Sequence, residues 1–140
     1  FIGAIFGASA VSHRLKEIVV LRTSAKLGCR YCIQTHTAVA LDAGLSRDEV
    51  VALRGEGPAQ EAFADAGERA LRDWSDALAA GSEPISDEVM ANLREYFSEP
   101  EIVELTLLSG ATIMLNRYCT ALDLPTSAAT LDKLERENLK

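Results

Sequence analysis

The segment that decides the fold is residues 13–44, which read HRLKEIVVLRTSAKLGCRYCIQTHTAVALDAG. Ser12, just before this segment, is a residue type that caps helices, and it predicts a helix over about residues 13–26. Gly28 is expected to end that helix, because glycine readily adopts the left-handed backbone conformation that closes helices. A second helix is predicted from about residue 29 or 30 to 43. The segment therefore predicts two helices joined by a tight turn.

Helical signals recur along the rest of the chain, and strand signals are nearly absent. Capping patterns predict further helix starts at Ser46, Ser86 and Ser98. Apolar residues at a 3.6-residue period predict one continuous helix over residues 59–78, and residues 102–115 predict a helix that is apolar on nearly every face. We predict an all-α fold, a compact bundle of about six to seven helices with the cysteine pair at the start of a central helix. Residues 1–140 are expected to form a single domain.

The N-terminal stretch 1–11 is apolar but lacks the basic residues of a signal peptide. We interpret it as a packed helix or arm. Gly81 and Pro84 predict a break between two helices. A charged last helix is predicted to begin at Thr126 or Ser127 and to face solvent.

Charge and composition exclude several classes of function. The 140 residues carry a net charge of -7, which argues against nucleic acid and anionic membranes as partners, because both attract clustered Lys and Arg. No apolar run reaches the roughly 18 residues of a membrane-spanning helix. No Gly-rich nucleotide fingerprint is present, so no cofactor is indicated. Three cysteines, two of them in a C-x-x-C, indicate redox or metal chemistry in a reducing cytoplasm rather than a secreted disulfide framework.

The residues best suited to chemistry are Glu17, Cys29, Cys32 and His36. On a helix, residues three or four apart share a face, so Cys29 lies beside Cys32 and His36 lies one turn below Cys32. Glu17 and His36 are at similar distances in sequence from the turn at residues 27–28. In an antiparallel hairpin both would lie about 10–15 Å from that turn, at 1.5 Å per residue. The spacing therefore predicts that Glu17 faces His36 across the hairpin.

This order of carboxylate, imidazole and thiol suits thiol chemistry. The thiolate is the nucleophile, and a free cysteine with a pKa of about 8.5 is mostly protonated at neutral pH. A helix N-terminus favours the thiolate, and a neighbouring imidazole can take the proton. A carboxylate behind the imidazole orients it and stabilises its charged form. Because a second cysteine one turn away can trap a sulfenic acid as a disulfide, the pattern indicates a two-cysteine redox site.

The pattern Glu-x11-Cys-x2-Cys-x3-His, formed by these four residues, resembles the signature of the alkyl hydroperoxidase D-like branch of the carboxymuconolactone decarboxylase family. The resemblance extends over about residues 13–122. It implies an all-α homo-oligomer, a trimer or a multiple of one, that reduces small hydroperoxides with paired thiols. It further implies that Cys32 attacks the peroxide, that Cys29 resolves the product, and that His36 and Glu17 relay the proton. Electrons would come from a lipoylated or thioredoxin-like protein.

The two cysteines differ in their surroundings, and Tyr31 departs from the family pattern. The helix N-terminus by itself favours Cys29 as the attacking thiol, whereas only Cys32 has His36 one turn below it, and we assign the attack to Cys32. Characterised hydroperoxidases of this kind carry a histidine at the position of Tyr31, so this chain departs from their pattern at that residue. Tyr31 and Cys119 are interpreted as packing residues, and Asn116 as the donor or acceptor of an internal hydrogen bond.

Other functions fit the same residues. A thiol redox sensor or a disulfide reductase would oxidise the same cysteines without rapid peroxidase turnover. A zinc-stabilised interaction module would use Cys29, Cys32, His36 and Glu17 as ligands. A fourth function is acid–base catalysis on a small carbon substrate by His36 and Glu17. The thiol-dependent peroxidase is the hypothesis that uses all four residues in distinct roles.

Overall fold

The computed structural model of the chain describes residues 1–7, 9–81 and 83–140. Ala8, in the predicted N-terminal arm, and Ser82, in the predicted break at 81–84, lie outside the described residues, as do the side chains of Ala59 and Gln60. The described ranges contain helices and no strand. The helices are α1 (Ile2–Phe6), α2 (His13–Leu27), α3 (Arg30–Asp42), α4 (Arg47–Arg54), α5 (Ala59–Ala62), α6 (Ala66–Ala80), α7 (Asp87–Arg94), α8 (Glu99–Ala121) and α9 (Ala128–Arg136).

The predicted all-helical fold is confirmed, and the cysteine pair stands at the start of α3. In the described part of the chain seven helices have eight or more residues, and α1 and α5 are shorter. The predicted serine caps are present, because each hydroxyl accepts a hydrogen bond from the backbone N–H three residues later. These caps are Ser12, Ser46, Ser86, Ser98 and Ser127. The starts of these five helices therefore follow from local side-chain chemistry.

The continuous helix predicted over residues 59–78 is wrong, because the chain breaks between α5 and α6. Phe63 adopts an extended backbone conformation and is buried in the core. Asp65 then caps α6 by accepting a hydrogen bond from the Glu68 N–H at 2.9 Å. Arg69 donates to the carbonyl oxygens of Phe63 and Ala64, at 2.7 and 2.8 Å. A local cap and a buried phenylalanine thus override the helical period.

Helix α2 forms the centre of the core. It contacts α3, α4, α6 and α8, and its four consecutive residues 18–21 are all fully buried. Burying a Val, Leu or Ile side chain contributes about 1.5–3 kcal/mol each to stability. Because α2 is surrounded, the residues that it carries are fixed in position, including those that face α3.

The N-terminal helix α1 is held against the bundle by Lys16, a buried residue of α2 with 1% of its surface exposed. Its ammonium donates to the carbonyl oxygens of Ile5 and Gly7 at 2.9 and 2.8 Å and pairs with Glu104 of α8 at 2.9 Å. Buried charge is tolerated only when it is paired and hydrogen-bonded, and these three acceptors meet that condition. Hydrogen bonds from Ser9 and Lys16 lower the pKa of Glu104, which keeps the carboxylate charged.

Helix α8 is the longest element, with 23 residues. One side is buried against α2 and α3, through residues that include Leu105, Leu108 and Cys119. The opposite side exposes an apolar row, here called the α8 stripe, which consists of Val103, Leu107, Met114 and Tyr118. No described helix is both long enough and apolar enough to cross a membrane.

Candidate functional site

The turn between α2 and α3 sets the geometry of the site. Gly28 has φ of 68°, in the left-handed region, and its N–H donates to the carbonyl oxygens of Ala25 and Ser24. The Cys29 N–H donates to the Ser24 carbonyl at 3.3 Å. A side chain at position 28 would be strained in this conformation, so glycine is required for the tight reversal. The reversal brings Cys29 to the start of α3 directly beside the end of α2.

Cys29 and Cys32 occupy the N-terminus of α3. Cys29 is the N-cap residue, and its Sγ accepts a hydrogen bond from the Cys32 N–H at 3.3 Å. The two cysteines are paired in a disulfide with their Cα atoms 5.3 Å apart. Both are buried, with 1% and 4% of their surfaces exposed. When the pair is reduced, the positive end of the helix dipole favours a thiolate at this position.

Glu17 and His36 are in direct contact across the hairpin. The His36 Nδ1 and the Glu17 Oε2 lie 2.9 Å apart. Glu17 is 2% exposed, whereas His36 is half-buried. Because Nδ1 is engaged by the carboxylate, Nε2 is the ring nitrogen that can exchange a proton with another group. The Phe6 ring of α1 lies with its centroid 6.3 Å from that of His36, in a tilted arrangement.

A pocket of about 310 Å³ opens beside these residues. Cys32 and His36 from α3 form part of its wall, and the rest is mostly apolar. The other lining residues are Ile2 and Phe6 from α1, Val20 from α2, Tyr31 and Thr35 from α3, Thr112, Leu115, Asn116, Tyr118 and Cys119 from α8, and Leu124. A small organic molecule in this pocket would contact both a sulfur and an imidazole.

The sequence assigns roles in packing or internal hydrogen bonding to two further residues of the pocket wall. Tyr31 is half-buried and packs against the cysteines. Asn116 is buried, and its Nδ2 donates to the Thr112 carbonyl at 2.7 Å and to the Ser24 hydroxyl at 3.2 Å. Thr112 O can only accept, so the amide nitrogen must face it. The hydrogen bond to Ser24 ties α8 to the end of α2 behind the site.

Cys119 lies at the site, although the sequence pattern did not place it there. It is a free, buried cysteine near the end of α8, and it forms one buried cluster with Cys29 and Cys32. Burial raises the pKa of the Cys119 thiol. No local spacing connects Cys119 with Cys29 and Cys32, and the odd number of cysteines was the one available signal.

The positions of the possible metal ligands bear on the hypothesis of a zinc-stabilised module. In residues 1–7, 9–81 and 83–140, no group of three or more His, Cys, Asp or Glu side chains is placed to hold a metal ion. The residues predicted as ligands form two separate pairs in this structure. Cys29 is paired with Cys32, and His36 with Glu17.

Comparisons with known proteins agree with this fold. The model of the carboxymuconolactone decarboxylase family matches residues 1–76. The uncharacterised protein YdfG of Bacillus subtilis is 25% identical over 115 residues, which cover 81% of this chain and 77% of YdfG.

Solved structures extend the comparison to the whole bundle. A protein of unknown function from Agrobacterium tumefaciens, suggested to be the antioxidant defence protein AhpD, is 29% identical with a TM-score of 0.76, covering 85% of this chain and 81% of that chain. The debrominase Bmp8, in complex with 2,3,4-tribromopyrrole, is 22% identical with a TM-score of 0.78, covering 95% of this chain and 72% of that chain. The likeness to Bmp8 extends to the fold alone.

Proposed function

Because the chain belongs to the carboxymuconolactone decarboxylase family, we propose that it is a thiol-dependent peroxidase that reduces small hydroperoxides with Cys32 and Cys29. One observation carries the proposal: Cys32, one of a cysteine pair at a helix N-terminus, lines a pocket together with an imidazole whose other side is held by a buried carboxylate. Solved relatives include a suggested antioxidant protein and a debrominase, so enzymes occur on this fold.

The first step is attack by the Cys32 thiolate on the terminal oxygen of the hydroperoxide. The S–O bond forms, the O–O bond breaks, and the alkoxide that leaves takes a proton from His36. Cys32 is now a sulfenic acid and the peroxide has been reduced to an alcohol. Cys29 then attacks the Cys32 sulfur, a disulfide forms, and water leaves. Two electrons have passed from the thiols to the peroxide.

Glu17 acts on this cycle through His36. Its carboxylate holds Nδ1 and thereby directs Nε2 away from α2. A negative charge at this distance also stabilises the imidazolium that forms when His36 takes the thiol proton. The disulfide is returned to two thiols by a dithiol, and a lipoylated or thioredoxin-like protein in the cytoplasm is the proposed donor.

The proposal is tested by counting thiols and turnovers. Fully reduced protein has three thiols, and one equivalent of an alkyl hydroperoxide should leave one, with Cys29 and Cys32 joined. Excess dithiothreitol should then sustain hydroperoxide consumption over many equivalents. Thiol titration after denaturation and a hydroperoxide assay measure the two quantities. A thiol count that stays at three in the presence of hydroperoxide would overturn the proposal.

The alternative is a redox sensor or disulfide reductase at the same cysteines. A sensor would show the same loss of two thiols but would not consume hydroperoxide rapidly with dithiothreitol. Elemental analysis of the same sample addresses the zinc module, which requires about one zinc per chain. Acid–base catalysis by His36 and Glu17 alone would leave all thiols unchanged.

We also propose that the protein is a homo-oligomer, a trimer or a multiple of one as the family resemblance implies. The α8 stripe leaves a row of large apolar side chains in solvent, and such rows are typical of subunit contacts. Light scattering should give a multiple of the 15.1 kDa chain mass. Leu107→Lys should lower this mass, whereas Thr120→Lys, on an exposed part of α8 outside the stripe, should not. A monomer at micromolar concentration would contradict the proposal.

A further inference from the structure

Three cysteines, and not two, meet at this site. Cys29, Cys32 and Cys119 form one buried cluster, and Cys119 lines the same pocket as Cys32. The peroxidase cycle described above uses Cys29 and Cys32 and leaves Cys119 without a role. A buried thiol next to a redox-active pair can exchange with it, because thiol–disulfide chemistry requires only contact and a thiolate.

Two side-chain contacts link the segment that follows α8 to the first turns of α3. Arg30, next to Cys29, pairs with Asp123 at 3.1 Å between Nη2 and Oδ1. Thr126, beyond the end of α8, donates its hydroxyl to the Gln34 Oε1 at 2.7 Å. Cys119 therefore approaches Cys32 from a separate helix, and its position does not depend on Cys29.

We propose that Cys119 is a second resolving thiol, which closes a disulfide with Cys32 when Cys29 is not available. The inference rests on the proposed function, since the peroxide must first convert Cys32 into a sulfenic acid. The Cys119 thiolate attacks the Cys32 sulfur, the S–S bond forms, the S–O bond breaks, and the hydroxide that leaves is protonated to water. No additional oxidant or reductant is needed, because the peroxide has already taken the two electrons.

The position of each thiol relative to the helix N-terminus determines which one resolves first. The pKa of Cys119 is raised by desolvation, so less of it is thiolate at neutral pH. Cys29 lies at the helix N-terminus, where a thiolate is favoured. Cys29 therefore resolves Cys32 in the intact protein. Cys119 acts when Cys29 is held in a mixed disulfide or removed, and it keeps Cys32 from irreversible further oxidation.

Cys29→Ser isolates this step without disturbing the helix, because serine is itself a preferred N-cap residue. The reduced variant receives one equivalent of an alkyl hydroperoxide and is then alkylated, digested and mapped by mass spectrometry. We expect a disulfide between Cys32 and Cys119. The matched control, Cys29→Ser with Cys119→Ala, should instead hold Cys32 as a sulfenic acid that dimedone traps.

The lifetime of the sulfenic acid gives a second readout. In Cys29→Ser it should be shorter than in the double variant by about tenfold or more, because the resolving thiol is held in the same site. It should shorten further as the pH rises toward the raised pKa of Cys119. A trapped sulfenic acid with Cys119 still free would overturn this inference and leave the proposed function intact. Two unreacted thiols would overturn the proposed function and this inference with it.

Discussion

Cys32→Ser is expected to abolish hydroperoxide reduction, with a residual rate indistinguishable from that of the reductant alone. Serine keeps the shape of the side chain, but its hydroxyl does not ionise near neutral pH and therefore does not attack the peroxide. Cys29→Ser is the matched variant, because it removes the neighbouring sulfur from the same helix turn. It should still undergo one oxidation at Cys32. Stopped-flow mixing of each reduced variant with an alkyl hydroperoxide measures the rate of the first oxidation.

Comparing the oxidation rates of Cys32→Ser and Cys29→Ser also shows which cysteine attacks the peroxide. The helix N-terminus favours Cys29, whereas the i, i+4 spacing places His36 one turn from Cys32. If Cys32→Ser were oxidised at the wild-type rate and Cys29→Ser were inert, the roles would be exchanged. The helix dipole alone would then set the reactivity, and His36 would serve another step.

The contact between Glu17 and His36 shows what short-range reasoning can predict. Helical rise per residue is nearly constant, and the turn at Gly28 is tight. Counting residues from that turn therefore predicts that Glu17 and His36 lie at similar distances from it on neighbouring helices. The structure places the two side chains 2.9 Å apart. The same logic placed the cysteines at the start of α3, where a left-handed glycine ends α2 and a new cap begins the next helix.

The break at Phe63 shows where such reasoning fails. The apolar period continues through residues 62, 63 and 66, so periodicity alone does not reveal the interruption. Asp65 followed by Glu68 is a local capping signal that could have located it. Here the cap at Asp65 prevails over the hydrophobic period and the helix is interrupted. The interruption lets Phe63, which is 1% exposed, be buried in an extended conformation.

The pocket wall depends on contacts that no local pattern encodes. Phe6 reaches His36 because Lys16 holds α1 against α2. Cys119 reaches the cysteine pair because α8 packs against both α2 and α3. These contacts join residues far apart in sequence, and they follow from the packing of the whole bundle. The relative positions of the cysteine pair, His36 and Glu17 were therefore predictable, whereas the pocket and its third cysteine required the structure.

His36→Gln is expected to slow the oxidation of Cys32 by roughly 10²–10⁴-fold at neutral pH, the usual contribution of a positioned acid–base group. Glutamine keeps a polar side chain of similar reach but neither takes the thiol proton nor gives one to the leaving alkoxide. The deficit should shrink as the pH approaches a thiol pKa of about 8.5, because hydroxide then generates the thiolate without the imidazole. Stopped-flow rates of the first oxidation from pH 6 to 9 measure both effects.

His13→Gln is the matched control for this variant, because His13 is the other histidine of the chain and lies exposed at the start of α2. It should react at the wild-type rate. Glu17→Gln should lose less than His36→Gln, since an amide oxygen can still accept from Nδ1–H and orient the ring, but the negative charge that stabilises the imidazolium is gone. If His36→Gln reacted as fast as wild type across this pH range, the proton relay would be refuted. Reactivity would then be attributed to the helix N-terminus, and the sensor function would be favoured over the peroxidase.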